Sequence, residues 1–271
     1  MKKKIIISLA PVKSGDPIYK DILAEDVDKS VQVGASMCHL HSRRNNGDLS
    51  ADTSFFVDCF DEILRRTDVV VQASTGGISE MTIEERCRPL TYHRVETASL
   101  NGGSTNLGEC IYKNSFDDIR YCAEAVYTRG IYPEVEVFDI GMIQAVEKLS
   151  QEEKTRFKKP MLYNLVFGHK GGMQATIESL YAFRSFVPKE ALWGVTHYGR
   201  QDWRFMTTAL AMGASLVRIG FEDSNYLVEN KQASYNYELV KKLVDIIQLL
   251  DLDVATPDEA REIMGIKKNR Q

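Results

Sequence analysis

Short apolar runs rich in Val, Ile and Leu alternate along the chain with segments whose apolar residues recur at helical spacing. A short apolar run bounded by turn residues is typical of a β-strand, and spacing of three or four residues is typical of an amphipathic helix. Eight runs are predicted as strands, at residues 4–9, 36–41, 69–74, 95–100, 134–138, 161–167, 192–197 and 215–220. Helical patterns lie between them, among others at residues 54–65, 116–127, 177–186, 203–212 and 237–250.

This alternation predicts right-handed βαβ units, and eight such units close into a (β/α)₈ TIM barrel. One barrel accommodates all 271 residues without a linker, so residues 1–271 are expected to form a single catalytic domain. Two capping boxes, at residues 82–85 and 256–259, agree with helix starts there. The alternative is an open doubly wound sheet, but no G-x-G-x-x-G follows the first strand. Residues 267–271 are predicted to be a solvated tail.

Composition narrows the class of partner. Apolar residues make up 44% of the chain and charged residues 27%, which is ordinary for a globular protein. The net charge of -4 provides no basic footprint for nucleic acid or for an anionic membrane surface. No run approaches the about 20 apolar residues of a membrane span, and the apolar run at residues 5–10 is too short for a signal peptide. Nucleic acid and membranes are therefore not expected as partners.

The cysteines point to a reducing compartment. Five of them are widely spaced and form no C-x-x-C pair: Cys38, Cys59, Cys87, Cys110 and Cys122. Such spacing fits free thiols better than a disulfide framework, so a cytoplasmic location is expected.

Candidate chemistry begins with His39 and His41, at the carboxyl end of the second predicted strand. A strand's period of two points both imidazoles to the same face, and barrel enzymes hold their active sites at this end of the strands. The pair could therefore provide two nitrogen ligands for one metal. Alternatively, both are polar residues that only hydrogen-bond to loops, because two ligands are fewer than the three of a catalytic zinc site.

Other strand ends add further candidates. Glu222 would complete a site of two imidazoles and one carboxylate with an open position for substrate. Asp223 would then be free as a base, although it could instead cap a helix. Arg218 could orient that Asp carboxylate, bind a substrate carboxylate, or form only a structural ion pair. The remaining strand-end candidates are Ser74, Thr75, Gly76, Gly77, Ser99, Asn101, Glu136 and Asp139.

Several of these candidates have a purely structural reading. The turn at residues 74–77 could bind an anionic oxygen through its hydroxyl and backbone N–H groups, or could exist for conformational reasons alone. The same two readings apply to Gly171 and Gly172. His197 is expected to be a polar contact, and His93 is expected on the surface.

Taken together, the motifs resemble a known family. The segments that carry the resemblance are HLH at 39–41, QASTGG at 72–77, LNGG at 100–103, NLG at 106–108, PEVEVFDIGM at 133–142, GGM at 171–173, VRIGFED at 217–223 and ATPDEAR at 255–261. They are similar, in the same order, to the β-keto acid cleavage enzymes, the group that includes the 3-keto-5-aminohexanoate cleavage enzyme of lysine fermentation. The resemblance implies a zinc-dependent barrel enzyme that converts a β-keto acid and acetyl-CoA into acetoacetate and a new acyl-CoA.

The resemblance also implies residue roles. His39, His41 and Glu222 would hold Zn²⁺, or another divalent metal, and Asp223, held by Arg218, would remove a proton from the substrate. Ser74, Ser99 and Glu136 match positions that line the substrate pocket, and Ser99 stands where a well-known member has threonine. The full set of candidate substrate-binding residues is Ser74, Thr75, Gly76, Ser99, Asn101 and Glu136. Relatives form tetramers, so a homo-oligomer is expected.

The chain departs from the family pattern in loops that shape the mouth. Where a member with an amino substrate carries glutamate after the first strand, this chain reads Val12-Lys13-Ser14-Gly15-Asp16. Only Asp16 could provide a carboxylate there, and Lys13 would favour an anionic substrate tail. The usual Val-Pro-Gly-Gly turn is replaced by the segment 168–172, GHKGG. These differences leave the substrate's side chain unidentified.

Two other functions compete with this one. A hydrolase of the amidohydrolase type also uses H-x-H in a barrel, but it needs more histidines, whereas strands five and six offer Glu136 and Asn164. A barrel that binds a metal or a small acid without turnover is the second alternative.

Overall fold

Eight parallel strands close into a barrel in the computed structural model, which describes residues 2–153, 155–157 and 159–266. The first strand pairs with both the second and the eighth, so the sheet has no free edge and the open doubly wound alternative is wrong. The predicted (β/α)₈ TIM barrel is thus confirmed. The barrel strands are β1 (Lys4–Leu9), β2 (Met37–Leu40), β3 (Val70–Ala73), β4 (Thr97–Asn101), β5 (Tyr132–Val137), β6 (Leu162–Phe167), β7 (Leu192–His197) and β8 (Leu216–Ile219).

Helices connect these strands and cover the outside of the barrel. They are α1 (Lys20–Gln32), α2 (Ser54–Arg66), α3 (Ile83–Arg86), α4 (Phe116–Thr128), α5 (Ile140–Leu149), α6 (Ile177–Phe186), α7 (Arg204–Ala211), α8 (Asn236–Leu249) and α9 (Pro257–Met264), with a 3₁₀ turn at Arg88–Thr91. Both predicted capping boxes are present, at Thr82 and at Thr256. In the part of the chain that the structure describes, no helix combines the length and the apolar character that crossing a membrane requires.

Some boundaries differ from the sequence prediction for local reasons. β2 ends at Leu40, so His41 follows the strand instead of ending it. β4 begins at Thr97, because the backbone N–H of Val95 still donates to Tyr92 in the turn that follows the 3₁₀ segment. The residues predicted as a solvated tail, 267–271, lie outside the described residues.

Sequence analysis also missed several elements. It did not predict α1, α5 or two short hairpins, Thr105–Leu107 with Cys110–Tyr112 and Tyr226–Val228 with Lys231–Gln232. The hairpins lie in the loops after β4 and β8, where the length of a connection carries no periodic apolar signal. Both therefore belong to the barrel's carboxyl-terminal face, where the candidate residues are.

The barrel interior changes character along its axis. At the amino-terminal end it is filled by an apolar cluster that α9 closes from below, consisting of Ile6, Met37, Val70, Tyr132, Leu162, Leu216, Ala255, Ala260, Met264 and Ile266. The next inward positions of these strands are polar and buried, among them Ser8, His39, Gln72 and Glu134. A larger cluster between the sheet and the outer helices includes Ile5, Ile7 and Leu9 of β1, as the period of two predicts. The polar inward positions therefore concentrate toward the carboxyl-terminal end.

A buried ion pair fastens α9 to the barrel. Arg261 donates from Nε and Nη2 to the two carboxylate oxygens of Glu96, at 2.7 and 2.9 Å, and both residues are 5% exposed. Because the two hydrogen bonds are parallel, the pair has the geometry in which a buried guanidinium best compensates a buried carboxylate. It joins the segment before β4 to the helix that closes the barrel.

We expect Arg261→Ala to lower the free energy of unfolding by about 3–5 kcal/mol, because the Glu96 carboxylate would remain buried without its partner. Urea unfolding followed by circular dichroism measures this change. Arg204→Ala is the matched control, since Arg204 forms an exposed ion pair with Asp202 and its loss should leave the midpoint unchanged. Equal midpoints for the two variants would contradict the role given to the buried pair.

Candidate active site

Two imidazoles and one carboxylate converge at the carboxyl-terminal mouth of the barrel. His39 lies on β2, His41 directly follows it, and Glu222 lies three residues beyond β8. Nε2 of His39 and Nε2 of His41 lie 3.8 and 3.4 Å from Oε1 of Glu222, and the three candidate ligand atoms all lie within 4.8 Å of one another. Within the described parts of the chain, no other group of histidine, cysteine and acidic residues is close enough to hold a metal ion.

Hydrogen bonds leave the same nitrogen available on both rings. Nδ1 of His39 lies 2.7 Å from the side-chain oxygen of Gln72, and Nδ1 of His41 lies 3.1 Å from the backbone oxygen of Gly76. Because each Nδ1 faces an acceptor, it carries the proton, and Nε2 carries a lone pair. Nε2 of His39 is buried and has no hydrogen-bond partner among the described residues. This donor set and the orphaned nitrogen fit a divalent metal ion.

Burial and neighbouring charges favour the protonation states that bind a metal. Burial lowers the pKa of His39 to about 3, an effect that Glu222 opposes and Arg218 assists. Burial alone would raise the pKa of Glu222, but His41, Arg218 and His39 outweigh it and hold that pKa below its ordinary value. At neutral pH the site therefore consists of a neutral His39 ring and a charged Glu222 carboxylate.

Arg218 is the hub of the acidic residues around the site. It donates from Nε and Nη2 to the two oxygens of Asp223, at 3.0 and 2.6 Å, and from Nη1 to Glu136 at 2.8 Å. Its Nη2 also lies 3.5 Å from Oε1 of Glu222. Arg218, which is 5% exposed, thus contacts three carboxylates, of which Glu136 and Asp223 are buried and Glu222 is partly buried, and Asp223 is oriented by a bidentate pair. No helix begins directly after Asp223, because the next helix starts at Asn236. The helix-capping alternative is therefore wrong.

The carboxylates differ in how easily they accept a proton. Burial raises the pKa of Glu136 to about 7, although Arg218 acts in the opposite direction. Burial also raises the pKa of Asp223 above its ordinary value, again against Arg218, and the nearby Glu222 adds to the rise. A carboxylate with a raised pKa is a stronger base than an exposed one, so Asp223 has the electrostatic setting of a proton acceptor.

The predicted substrate residues on β3 and β4 form a hydrogen-bonded cluster beside the metal site. The Thr75 N–H donates to the Ser99 hydroxyl at 3.2 Å, the Thr75 hydroxyl donates to the Ser99 backbone oxygen at 2.7 Å, and the Gly76 N–H donates to the Ser74 hydroxyl at 3.3 Å. The Ser74 and Gly77 N–H groups donate to the Leu40 backbone oxygen and the Tyr112 hydroxyl, so all four backbone N–H groups of this turn are occupied within the protein. A side chain at Gly76 would lie 2.0 Å from the Tyr112 hydroxyl, so close approach explains that glycine.

Asn101 lies next to this cluster and differs from it. Both its amide nitrogen and its amide oxygen are buried and lack a hydrogen-bond partner among the described residues. An amide in this state is available to a bound polar group.

A cavity of about 380 Å³ opens beside the metal ligands and the Arg218 cluster. His41, Glu136, Arg218, Glu222 and Asp223 line its polar side. Its remaining wall is mostly apolar or aromatic and includes Leu49, Ile78, Leu107, Tyr112, Phe138, Val166, His169 and Tyr198. The volume suits an organic ligand of moderate size.

Other candidates have structural roles or lie elsewhere. Asp139 caps α5 by accepting from the Met142 N–H at 3.0 Å, so it is not part of the acidic cluster. His93 is exposed, as predicted. Sequence analysis predicts a polar contact for His197, but its ring packs against Phe205. Its Nδ1 atom is buried and has no hydrogen-bond partner among the described residues. Gly171 has φ +98° and packs against the Asn106 backbone, so its turn is conformational.

Sequence reasoning did not assign a role to Gln72, Glu134 or Asn164, which lie inside the barrel behind His39. Each is a polar residue at an inward position of an otherwise apolar strand, and that signal could have identified them. The sequence also provided no indication that Tyr112, His169 and Tyr198 line the cavity. The rings of His169 and Tyr198 are stacked, with their centroids 4.1 Å apart. Loop residues give no periodic pattern that would predict this placement.

Several known proteins are similar to this chain in sequence. The 3-keto-5-aminohexanoate cleavage enzyme of Fusobacterium nucleatum is 34% identical over 254 residues, which cover 93% of this chain and 91% of that protein. The 3,5-dioxohexanoate:acetyl-CoA acetone transferase of Paraburkholderia graminis is 28% identical over a 303-residue alignment that covers 98% of this chain and 97% of that protein. Both are similar to this chain over nearly their full length.

A solved structure is similar in fold. The apo structure of ObcA superposes with a TM-score of 0.75 at 17% sequence identity, covering 92% of this chain and 65% of the ObcA chain. At this identity the similarity shows the barrel fold alone. The family described as beta-keto acid cleavage enzyme matches residues 13–266. With that match and a relative above 30% identity, the chain belongs to the beta-keto acid cleavage enzymes.

Proposed function

We propose that this enzyme converts a β-keto acid and acetyl-CoA into acetoacetate and a new acyl-CoA, with Zn²⁺ held by His39, His41 and Glu222. The observation that carries the proposal is the arrangement of two Nε2 lone pairs and the Glu222 carboxylate beside an Asp223 that Arg218 holds in a bidentate pair. The names of relatives support acetyl-CoA as co-substrate, since they include acetyl-CoA-dependent transferases.

The bound metal would supply a Lewis acid for the keto and carboxylate oxygens of the substrate. Two imidazoles and one carboxylate leave positions open for such oxygens and suit zinc, although cobalt, nickel or iron(II) accept the same ligands. The protein's own contribution is to hold His39 neutral and Glu222 ionised before the substrate arrives.

Asp223 is the general base in this proposal. It would remove a proton from the carbon between the keto and carboxylate groups, while Arg218 keeps both of its oxygens oriented and Glu136 holds the other side of the guanidinium. The resulting enolate carbon bonds to the acetyl carbon of acetyl-CoA, and CoA thiolate leaves. That thiolate then attacks the original keto carbon, and the bond between this carbon and the former enolate carbon breaks. The released carbanion of acetoacetate regains the proton from Asp223, so atoms and electrons balance.

The predicted substrate-binding residues divide into two groups. Asn101 and Glu136 are the direct contacts in our proposal, since the Asn101 amide lacks partners among the described residues and Glu136 lines the cavity. The second group consists of Ser74, Thr75, Gly76 and Ser99. These residues would contact the substrate only through hydroxyl and backbone groups that are not engaged in hydrogen bonds to one another. Their main contribution is then to hold the turn whose Gly76 backbone oxygen accepts a hydrogen bond from Nδ1 of His41.

The cavity wall favours an uncharged, apolar substrate tail. Every acidic residue that lines the cavity among the described residues belongs to the Arg218 cluster, so no carboxylate is left for a cationic tail. Lys13 and Asp16, the charged residues of the loop after β1, are exposed and are not part of the described lining. Lys170 is paired with Glu109 at the rim, and Arg43, which also lines the cavity, is buried and donates to the Gly47 backbone oxygen at 2.7 Å. A wall of Leu, Ile, Val and aromatic side chains therefore supports an apolar tail.

We further propose that the whole chain acts as one catalytic domain in the cytoplasm, as a homotetramer. The five cysteines are all free thiols, which supports a location in the reducing cytoplasm. Exposed large side chains, including Ile111, Phe116 and Tyr181, support association between copies.

We expect Asp223→Asn to retain zinc and to lower kcat by about 10²–10⁴-fold, because an amide cannot accept the substrate proton. Zinc content by atomic emission and acetoacetate release from acetyl-CoA measure the two quantities. Asp245→Asn, a substitution at an exposed position of α8, is the control and should change neither the zinc content nor kcat. An Asp223→Asn enzyme with undiminished kcat would refute the proposed base.

We expect His41→Ala to lose both bound zinc and turnover, because one of three ligands disappears. Titration of chelator-treated protein with zinc measures the first effect, and the same assay measures the second. His93→Ala removes an exposed histidine and should bind zinc as the unchanged protein does. Hydrolysis of the substrate by the zinc-loaded enzyme without added acetyl-CoA would instead favour the hydrolase alternative.

We expect the apolar substrate 3-keto-5-methylhexanoate to be used with a kcat/KM at least about tenfold higher than that of its near-isostere 3-keto-5-aminohexanoate, because the ammonium would be desolvated without a counter-ion. Acyl-CoA formation from each substrate measures this ratio. Ser14→Glu introduces a carboxylate into the cavity lining and should reduce the ratio of the two kcat/KM values. A preference for the amino substrate would contradict the assignment of the tail.

A further inference from the structure

A continuous chain of hydrogen bonds crosses the barrel interior behind His39. Nδ1 of His39 donates to the Gln72 side-chain oxygen at 2.7 Å, and the Gln72 amide nitrogen donates to Oε2 of Glu134 at 2.8 Å. On the other side, the Asn164 amide nitrogen donates to Oε1 of Glu134 at 2.6 Å, and the Thr196 hydroxyl donates to the Asn164 oxygen at 3.0 Å. These five residues, which we call the polar chain, are at most 1% exposed.

The direction of every bond in the polar chain follows from the carboxylate at its centre. Burial raises the pKa of Glu134, and the hydrogen bonds from Gln72 and Asn164 and the charge of Arg218 oppose that rise. The ionised carboxylate only accepts hydrogen bonds, so both amides turn their nitrogen atoms toward it, as their distances of 2.8 and 2.6 Å show. Gln72 therefore presents its oxygen to His39, and an oxygen acceptor places the His39 proton on Nδ1. The lone pair then lies on Nε2, which faces Glu222 at 3.8 Å.

We propose that Glu134 is a positioning residue that acts through Gln72 to set the tautomer and ring orientation of His39, and thereby the affinity of the metal site. This inference rests on the proposed function in that His39 is taken as a metal ligand. Partners that fix a ligating histidine in this way typically change metal affinity by about 10–100-fold when they are altered. Glu134 itself touches neither the metal ligands nor the cavity lining.

A role in stability alone would not explain a carboxylate at this position. Two other buried glutamates described above, Glu96 and Glu136, are each paired directly with a guanidinium, whereas both hydrogen-bond donors to Glu134 are neutral amides. A buried charge without a directly bonded cation is costly for folding. What the carboxylate adds over a neutral amide is an unambiguous hydrogen-bond direction.

Glu134→Gln tests this inference with almost no change in size. A glutamine at 134 both donates and accepts, so it no longer obliges Gln72 to present its oxygen to His39. We expect zinc affinity to fall by about 10–100-fold and the metal-free protein to show His39 protonated partly at Nε2, with an unchanged thermal midpoint. Competition with a chromogenic chelator measures the affinity, and ¹⁵N NMR of the imidazole nitrogens measures the tautomer.

The exchange Gln72→Glu with Glu134→Gln provides a rescue. The carboxylate at 72 would accept from His39 Nδ1 and from the new amide at 134, whose oxygen would accept from Asn164, so all directions are restored. We expect zinc affinity to return to at least that of the unchanged protein. Glu96→Gln is the control for a buried glutamate elsewhere in the barrel, and it should lower stability without changing zinc affinity.

The outcomes separate this inference from the proposed function. If Glu134→Gln binds zinc as tightly as the unchanged protein and keeps the same His39 tautomer, the positioning role is refuted. If the unchanged protein itself binds no zinc, the proposed function fails. In that case the NMR comparison in metal-free protein still decides whether Glu134 sets the tautomer.

Discussion

The guanidinium of Arg218 is the group on which the arrangement of the site depends. Three carboxylates surround it, two of them buried and one partly buried, and without its charge their burial and mutual repulsion would favour their neutral forms. The backbone brings two of these carboxylates back to it. Gly220 has φ +144°, and a side chain there would lie 2.1 Å from the Ala10 oxygen. This close approach lets the chain turn after β8, so that Glu222 and Asp223 face the same guanidinium that the strand supplies.

The layered interior explains how such a charged cluster is compatible with a stable barrel. The amino-terminal half of the interior is apolar and is closed by α9, which the Glu96 and Arg261 pair fastens. Polar side chains begin only at the next inward level, where Gln72, Glu134 and Asn164 have hydrogen-bond partners on other strands of the barrel. Folding stability and site chemistry are thus assigned to opposite ends of the same strands, as is usual in barrel enzymes.

The site and its wall are built from different parts of the chain, and this separation bears on specificity. The candidate metal ligands and Arg218 lie on or directly after barrel strands, whose positions the sheet fixes. The apolar wall comes largely from connections, including Leu49, Ile78 and Leu107. Loops tolerate substitution better than strands, so members of one family can keep the same reacting groups while they accept different substrate tails. His169 and Tyr198, stacked at the rim, are part of this replaceable wall.

Much of this architecture followed from the sequence alone. Periodicity in the apolar runs predicted eight strands and the barrel, and residues at strand ends predicted that His39, His41, Glu222, Asp223 and Arg218 would meet, because local pattern determines which side chains face inward. Only the tertiary structure decided that Asp139 caps a helix, that the turn around Gly76 satisfies its own N–H groups, and that Glu134 reaches His39 through Gln72. The reason is physical: periodicity encodes burial along one strand, whereas hydrogen-bond partners across a closed barrel depend on register and on side-chain direction, which no single segment specifies.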